Sequence, residues 1–222
     1  MAKTKTATKS KVKVTDELII NLYMDHVLEH GERPATVYAF CKKYDLQENE
    51  FYEHFGSFEG IREQIWINLF AHTHKVLEKD KQYEQYANRE KMLSFFYTFF
   101  EMLTANRSYV LFTLQEDKNS LKNLKQLKPL RTKMREFAST LIETSNEEKS
   151  YKVAKNPVSI FSEGAWVQML FLLKYWMEDN SPKFEKTDVA IEKSVNVIFD
   201  VFDTTPLESV LDFGKFLFKE RL

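Results

Sequence analysis

The sequence predicts an all-α protein, and three observations support this fold class. Glycine and proline each occur only five times in 222 residues, so turns are few and helices are long. Apolar residues recur at helical spacing along most of the chain, whereas no segment alternates convincingly in the manner of a strand. Residues that favour helix ends stand at the borders of the apolar segments. Together these features predict about ten helices and no strand.

The first helix is predicted over residues 15–31. Thr15 is a suitable N-cap, acidic residues occupy the first turn, and Gly31 ends the helix. His26 and His30 are four residues apart and share one face. Two histidines would need a third ligand to bind a metal ion, so we expect a solvated face there and no metal site.

The next elements form a helix-turn-helix followed by a long helix. A helix is predicted over residues 36–44, a tight turn over 45–47 and a second short helix over 48–54. Leu46 is the apolar residue that packs between two crossing helices. The long helix covers residues 57–79. In such a unit, the second helix can enter the major groove of DNA.

The rest of the chain is predicted to be helical as well. Segment 118–128 is rich in lysine and is predicted as a mobile, exposed segment or a weak helix, and residues 145–156 as a polar connection. The helix over 157–179 is apolar on nearly every face, so the core, a ligand or a second subunit must cover it. Helices are predicted at 89–105, 106–117, 129–144, 157–179, 187–203 and 206–222.

Composition excludes several classes of protein. The net charge of −1 gives no overall attraction to nucleic acid, and the single cysteine, Cys41, excludes an internal disulfide. We expect no signal peptide and no transmembrane helix, hence a cytoplasmic protein without membrane insertion. No phosphate-binding glycine loop, nucleophile motif or metal-binding motif occurs, so we expect neither an enzyme nor a cofactor.

The helix-turn-helix resembles the TetR family of bacterial transcriptional regulators. Ile19, Val27 and Gly31 stand at the family's spacing before the motif. Residues 1–14 are predicted to form a basic, disordered arm, with five lysines and no acid in 1–13, which is either a solubilising tail or an arm that follows DNA phosphates. The resemblance covers about residues 15–65 and implies a helix-turn-helix DNA-binding domain (15–58) and a helical ligand-binding and dimerisation domain (59–222). The residues that carry the motif are Thr36-Val37, Phe40, Cys41, Leu46, Phe51-Tyr52, Phe55-Gly56-Ser57 and Glu59.

The resemblance implies a homodimeric repressor that binds a palindromic operator and responds to a small hydrophobic effector. Dimers of the family form through the last long helices, here 157–179 and 187–203. Lysines of the arm, together with Lys42 and Lys43, would add positive charge against DNA. The implied phosphate contacts are Thr36, Tyr52 and His54, and the implied base-facing residues are Gln47, Glu48, Asn49 and Glu50.

Aromatic residues are unusually frequent, with 19 Phe, 10 Tyr and 3 Trp. Those in three helices that we expect to meet form either an ordinary core or a cavity for a hydrophobic molecule. The resemblance places effectors in this larger domain. The candidate ligand-binding residues are Phe96, Phe99, Phe100, Tyr109, Phe112, Trp166 and Trp176.

The chain also departs from the family pattern. Asp45 stands where a turn glycine is usual, and Phe58 stands where a lysine usually follows the serine. Residues 45–54 contain four acids and no lysine or arginine, which opposes binding to phosphates. An alternative is therefore a TetR-fold protein that has lost DNA binding and binds a hydrophobic ligand or lipid, as some relatives of the fold in ubiquinone biosynthesis do.

Overall fold

The structure is a computed structural model that describes residues 13–147 and 157–204. These residues form α-helices and short 3₁₀ turns without any strand, which confirms the all-α prediction. The predicted helix at 206–222, most of the arm and part of the 145–156 connection lie outside the described residues. The helices are α1 (Asp16–His30), α2 (Val37–Lys43), α3 (Glu48–His54), α4 (Phe58–Leu77), α5 (Asn88–Ala105), α6 (Arg107–Gln115), α7 (Ser120–Leu124), α8 (Lys128–Glu147), α9 (Val158–Glu178) and α10 (Glu185–Thr204).

The chain divides into two compact units, between Ile65 and Trp66, inside α4. The predicted boundary at residue 58 lies earlier. The first turns of α4 belong to the N-terminal unit because Ile61 and Ile65 are buried and the Phe58 ring joins its aromatic core.

The N-terminal unit is built on locally encoded helix ends. The hydroxyl of Thr15 accepts the N–H of Leu18 (3.2 Å), and the hydroxyl of Thr36 accepts the N–H of Ala39 (3.1 Å). Gly31 ends α1 in the left-handed region, at φ 67°. Asp45 also has a positive φ, of 55°, which explains why glycine suits this turn position.

An aromatic cluster holds the three N-terminal helices together. The ring centroid of Phe58 lies 5.5 Å from Tyr23, 5.6 Å from Phe40 and 5.7 Å from Phe51, and these three partners are almost completely buried. Edge-to-face and stacked ring pairs add to the burial of apolar area. Phe58 thus takes a packing role at a position where the resembled family usually has a lysine.

In the C-terminal unit, α9 packs against α8 and α10, and α10 packs against α5. The core contains the aromatic residues of α5 together with Met169, Leu172 and Trp176 of α9. The apolar character of α9 is explained in part by these contacts, since one side of it is fully buried.

The segment 118–128, predicted as a mobile, exposed segment or a weak helix, is helical and partly buried. It forms α7 and a 3₁₀ turn, and Asn123, Gln126 and Leu127 are buried in it. The Gln126 side-chain oxygen accepts hydrogen bonds from Trp66 Nε1 (3.1 Å) and the Thr113 hydroxyl (2.8 Å). Its amide nitrogen donates to the carbonyls of Thr113 and Asn123. A buried amide with all these partners fixes the segment, although its lysines remain exposed.

The chain reverses direction between α9 and α10 around the buried carboxylate of Asp179. This carboxylate accepts hydrogen bonds from the N–H and hydroxyl of Ser181 (2.8 and 2.7 Å) and of Thr187 (2.9 and 2.7 Å). Thr187 lies within α10, which begins at Glu185 and not at the predicted residue 187, and Asp179 supplies the negative charge at the helix start. Burial alone would raise the pKa of Asp179, but the hydrogen bonds lower it to about 2.

Because of the Asp179 carboxylate, we expect the free energy of unfolding to decrease in acid. Because the pKa of Asp179 is lower in the folded chain than its ordinary value of 3.8, its contribution is present above that value and is lost as the pH falls towards about 2. Asp179→Asn is expected to lower the free energy of unfolding at neutral pH by about 2 kcal/mol and to flatten its acid dependence. Urea unfolding across this pH range measures both effects. Glu192→Gln, at an exposed position of α10, is the control, and parallel acid profiles for Asp179→Asn and the natural chain would contradict the prediction.

Arg107, at the start of α6, stabilises the reversal between α9 and α10, which we call the corner. Its guanidinium donates to the carbonyls of Trp176 (3.0 Å), Met177 (3.3 Å) and Asp179 (3.3 Å) at the end of α9. It also lies 4.4 Å from the ring centroids of both Trp176 and Phe184. One cation therefore satisfies the carbonyls that a helix end leaves open and stacks between two rings.

Candidate functional site

The residues predicted to contact DNA all lie on α2, α3 and their caps in the N-terminal unit. Thr36, Lys42, Lys43, Gln47, Glu48, Asn49 and Tyr52 are exposed, whereas Glu50 and His54 are half-buried. Helix α3 turns Phe51 into the core, and its opposite side faces solvent. The structure thus brings the nine predicted residues together on one compact unit.

Several of these side chains already have partners within the unit. The carboxylate of Glu50 accepts the N–H of Gln47 (2.9 Å), which forms half of a capping box at the start of α3. His54 Nδ1 is bonded to the carboxylate of Asp16 on α1. The Thr36 hydroxyl caps α2. These three residues stabilise the unit itself, so a contact with DNA would compete with those bonds.

The side chains that form no such hydrogen bond within the unit lie on the outer side of α3. Within the part of the chain that the structure describes, Glu48, Asn49 and Tyr52 have no polar partner, and 53% of Tyr52 is exposed. Glutamate and asparagine can read base edges in the major groove, where glutamate accepts from cytosine and asparagine pairs with adenine. Glu48, however, and the exposed Glu53 of the same helix also repel phosphates.

The lysines of α2 are held by aromatic neighbours. Lys42 lies 5.9 Å from the ring of the exposed Tyr38, and Lys43 lies 5.1 Å from the ring of Tyr44. Lys43 Nζ is also 2.9 Å from Nε2 of His30. An ammonium group can only donate, so this contact needs His30 to be neutral at Nε2. Lys43 is therefore fixed beside the end of α2, where its charge is favourable.

The predicted solvated histidine face is solvated only in part, because His30 is exposed whereas His26 is half-buried against the end of α2. The rings of His26 and His30 stack at 4.4 Å, and His30 Nδ1 donates to the carbonyl of His26 (2.9 Å). His26 Nδ1 is bonded to the Tyr44 hydroxyl (3.2 Å). Burial, followed by the charge of Lys43, lowers the pKa of His26. Among residues 13–147 and 157–204, no group of three or more His, Cys, Asp or Glu side chains could hold a metal ion.

The predicted ligand-binding aromatics pack mostly into the core. Six of the seven are buried, and only Phe112 is half-buried. The ring of Phe100 lies 6.5 Å from Phe96, 6.0 Å from Phe99 and 6.3 Å from Trp176. The rings of these four residues therefore fill space against one another.

A pocket of about 600 Å³ opens elsewhere in the C-terminal unit, between α6, α7 and α9. None of the seven predicted residues lines it. Sequence reasoning did not indicate this pocket, because the segment that contains α7, which forms one wall, was predicted as a mobile, exposed segment or a weak helix. The apolar residues of its lining are Leu114, Leu124, Leu170, Leu173 and Met177, and the polar ones are Gln115, Asp117, Lys118, Ser120, Asn123, Lys174 and Glu178.

Large apolar side chains of α9 and α10 also face solvent. Val167, Phe171 and Tyr175 of α9 are spaced by four residues and are 63%, 54% and 37% exposed. Val189 and Val197 of α10 are 47% and 60% exposed. Both helices were predicted to form the dimer contact. We name these five residues the apolar set of α9 and α10.

The sequence and fold of this chain are similar to those of known proteins. The model of a family described as "tetracyclin repressor-like, C-terminal domain" matches residues 91–217. A solved structure assigned to the TetR-family transcriptional regulators, from Syntrophomonas wolfei strain Goettingen, is similar with a TM-score of 0.63 and 16% identity. The similarity covers 82% of this chain and 93% of that one. No curated protein matches the sequence. Within the described residues, no helix has both the length and the apolarity needed to cross a bilayer.

Proposed function

Since the chain belongs to the TetR family of transcriptional regulators, we propose that it is a repressor that binds a palindromic operator as a homodimer. In this arrangement the two α3 helices enter successive major grooves on one side of the DNA. A small hydrophobic effector in the C-terminal unit changes the affinity by binding better to one conformation of the dimer than to the other.

The observation that most supports this proposal is the solvent-facing side of α3, on a unit whose core residues are closely packed. The α2–α3 pair is fixed by the buried Phe40, Leu46 and Phe51 and by caps at both helix starts. A recognition helix must be held rigidly, because base readout depends on the position of a few side chains. Asn49, Tyr52 and Glu48 are the base-facing or phosphate-facing residues that are available on this side.

Phosphate neutralisation has to come from outside α3. The arm contributes five lysines in residues 1–13, which except for Lys13 lie outside the described residues. Lys42 and Lys43 are exposed at the end of α2. We propose that these cations supply the sequence-independent affinity, and that α3 supplies discrimination between operators.

A second candidate function is favoured by the charge of the same helix. Glu48 and Glu53 are exposed on α3, and the one basic residue of the helix, His54, is bonded to Asp16. Such a surface is poorly suited to a polyanion. The alternative is a TetR-fold protein that binds a hydrophobic ligand or lipid and has lost DNA binding.

DNA retention by charge variants tests the proposal. We expect the natural protein to enrich one inverted repeat from fragmented genomic DNA of its source at low salt. Deletion of residues 2–13 is expected to weaken binding to all sequences alike, because the lysines of the arm face phosphates and not bases. The slope of log K against log salt should become shallower by about 0.9 for each phosphate that the arm no longer neutralises.

The double variant Glu48→Lys and Glu53→Lys separates the two candidate functions. It leaves Glu50 in place, because replacing Glu50 would also remove the cap of α3. The control is Glu17→Lys with Asp25→Lys, which makes the same charge change at exposed positions of α1. If the natural protein retains no DNA at low salt and only the α3 variant does, the second candidate function is supported and the repressor proposal is rejected.

A further inference from the structure

We propose that the pocket between α6, α7 and α9 binds an amphipathic molecule with an unbranched apolar chain and a single carboxylate. The inference rests on the proposed effector-controlled function and names the chemical class of effector. It also places the effector away from the aromatic residues that the sequence indicated.

The pocket has the size and the walls of a small-molecule site. Its volume of about 600 Å³ lies in the range typical of ligand pockets. Leu114 and Leu173 are almost completely buried and Leu170 and Met177 are half-buried, while Leu124 is 37% exposed. These five side chains offer an apolar surface and carry no aromatic ring, which suits a flexible aliphatic chain.

The polar lining carries an excess of available positive charge. Lys118 and Lys174 line the pocket, and neither has an ion-pair partner among the residues that the structure describes. The carboxylate of Asp117 is already engaged, since it accepts the N–H of Asn119 (2.8 Å) and lies 3.3 Å from Lys122 Nζ. Glu178 is then the carboxylate of the lining that has no hydrogen-bond or ion-pair partner among the described residues. Two ammonium groups against one carboxylate favour an anion.

Hydrogen bonding on the α7 side is consistent with a head group near the lysines. The Asn123 amide accepts the N–H of Asp117 (2.9 Å) and donates to its carbonyl (2.7 Å). These two bonds to one residue hold Asn123, which is buried, in the wall of the pocket. Ser120 and Gln115 are exposed donors beside Lys118. A carboxylate offers about four acceptor sites and a negative charge to such donors, whereas a hydroxyl offers about two sites without a charge and a quaternary ammonium offers none.

Calorimetric titration of the full chain with three probes of equal chain length tests the proposal. The probes are decanoate, decanol and decyltrimethylammonium, all below the concentration at which they form micelles. Decanoate is expected to bind at least about tenfold more tightly than the other two, because hydrogen bonds to charged groups exceed neutral ones. Equal affinities for the three probes, or preference for the cation, would overturn the proposal.

Three variants locate the site. Lys174→Gln is expected to weaken decanoate binding about tenfold and to leave decanol binding unchanged. Leu124→Trp is expected to weaken both, because the larger ring occupies the pocket. Lys186→Gln, an exposed lysine of α10 outside the lining, is the matched control. If Lys174→Gln and Lys186→Gln behave alike, the carboxylate does not bind here; Lys174→Gln decides this even if Leu124→Trp fails to fold.

The same samples distinguish this proposal from the proposed function. DNA retention is measured with and without decanoate. Retention of DNA without selective decanoate binding contradicts the pocket assignment and leaves the repressor proposal intact. Selective decanoate binding without retention of DNA supports the pocket assignment and rejects the repressor proposal.

Discussion

Replacing Phe171 by glutamate is expected to convert the proposed dimer into monomers. The ring of Phe171 is 54% exposed in the single chain, between the exposed Val167 and Tyr175. In a two-fold symmetric dimer through α9 and α10, the Phe171 side chains of both subunits would be buried in the interface. A buried carboxylate without a partner is strongly unfavourable, so the dissociation constant should rise by about a thousandfold or more.

Sedimentation velocity at micromolar concentration measures this change directly. The matched control is Leu121→Glu, which introduces the same charge at a leucine of α7 that is 74% exposed and not part of the apolar set of α9 and α10. We expect that control to remain dimeric. A natural protein that sediments as a monomer, or a dimeric Phe171→Glu variant, would reject α9 and α10 as the interface. Monomers should also bind the operator more weakly, because one α3 contacts only half of a palindrome.

Replacing Arg107 by alanine is expected to cause the largest decrease in folding stability. The guanidinium donates to three carbonyls at the end of α9 and stacks between the rings of Trp176 and Phe184. Removing it leaves those carbonyls unsatisfied and opens a gap between two aromatic rings. A decrease of about 3–5 kcal/mol in the free energy of unfolding is expected from these interactions together.

Urea unfolding followed by circular dichroism and tryptophan fluorescence gives this quantity. Arg131→Ala is the control, since Arg131 pairs with Glu163 at 2.8 Å but both side chains are well exposed. Exposed ion pairs contribute less than about 1 kcal/mol. If the two arginine variants are destabilised equally, the corner between α9 and α10 does not depend on Arg107 in the way described.

The N-terminal unit could be predicted closely because its signals are local. Thr15, Thr36 and Gly31 act on residues within one helical turn, and the spacing of Phe40, Leu46 and Phe51 identifies the crossing helices. The role of Glu50 is half of a capping box, in which glutamate at the third helical position accepts the backbone N–H of the N-cap residue. Gln47 is not one of the usual N-cap residues of this pattern, so the sequence did not indicate the bond.

The C-terminal unit was predicted less well because its decisive contacts join distant residues. Gln126 is buried by bonds to Trp66 and Thr113, and nothing in a lysine-rich segment indicates this. Arg107 reaches a helix end about seventy positions along the chain. The aromatic residues of α5 were recognised as inward-facing, but periodicity does not distinguish a filled core from a cavity.

The ring of Phe58 has a kinetic consequence for a regulator of this kind. A lysine at this position would add one interaction with DNA of any sequence, whereas the ring contributes only to the aromatic cluster with Tyr23, Phe40 and Phe51. Fewer neutralised phosphates shorten the time that a protein spends on unrelated DNA and reduce sliding. Under the proposed function, the lysines of the arm still hold the protein on unrelated DNA, but each encounter would be shorter than for a relative with lysine at this position. A larger share of arrivals at the operator would then come directly from solution.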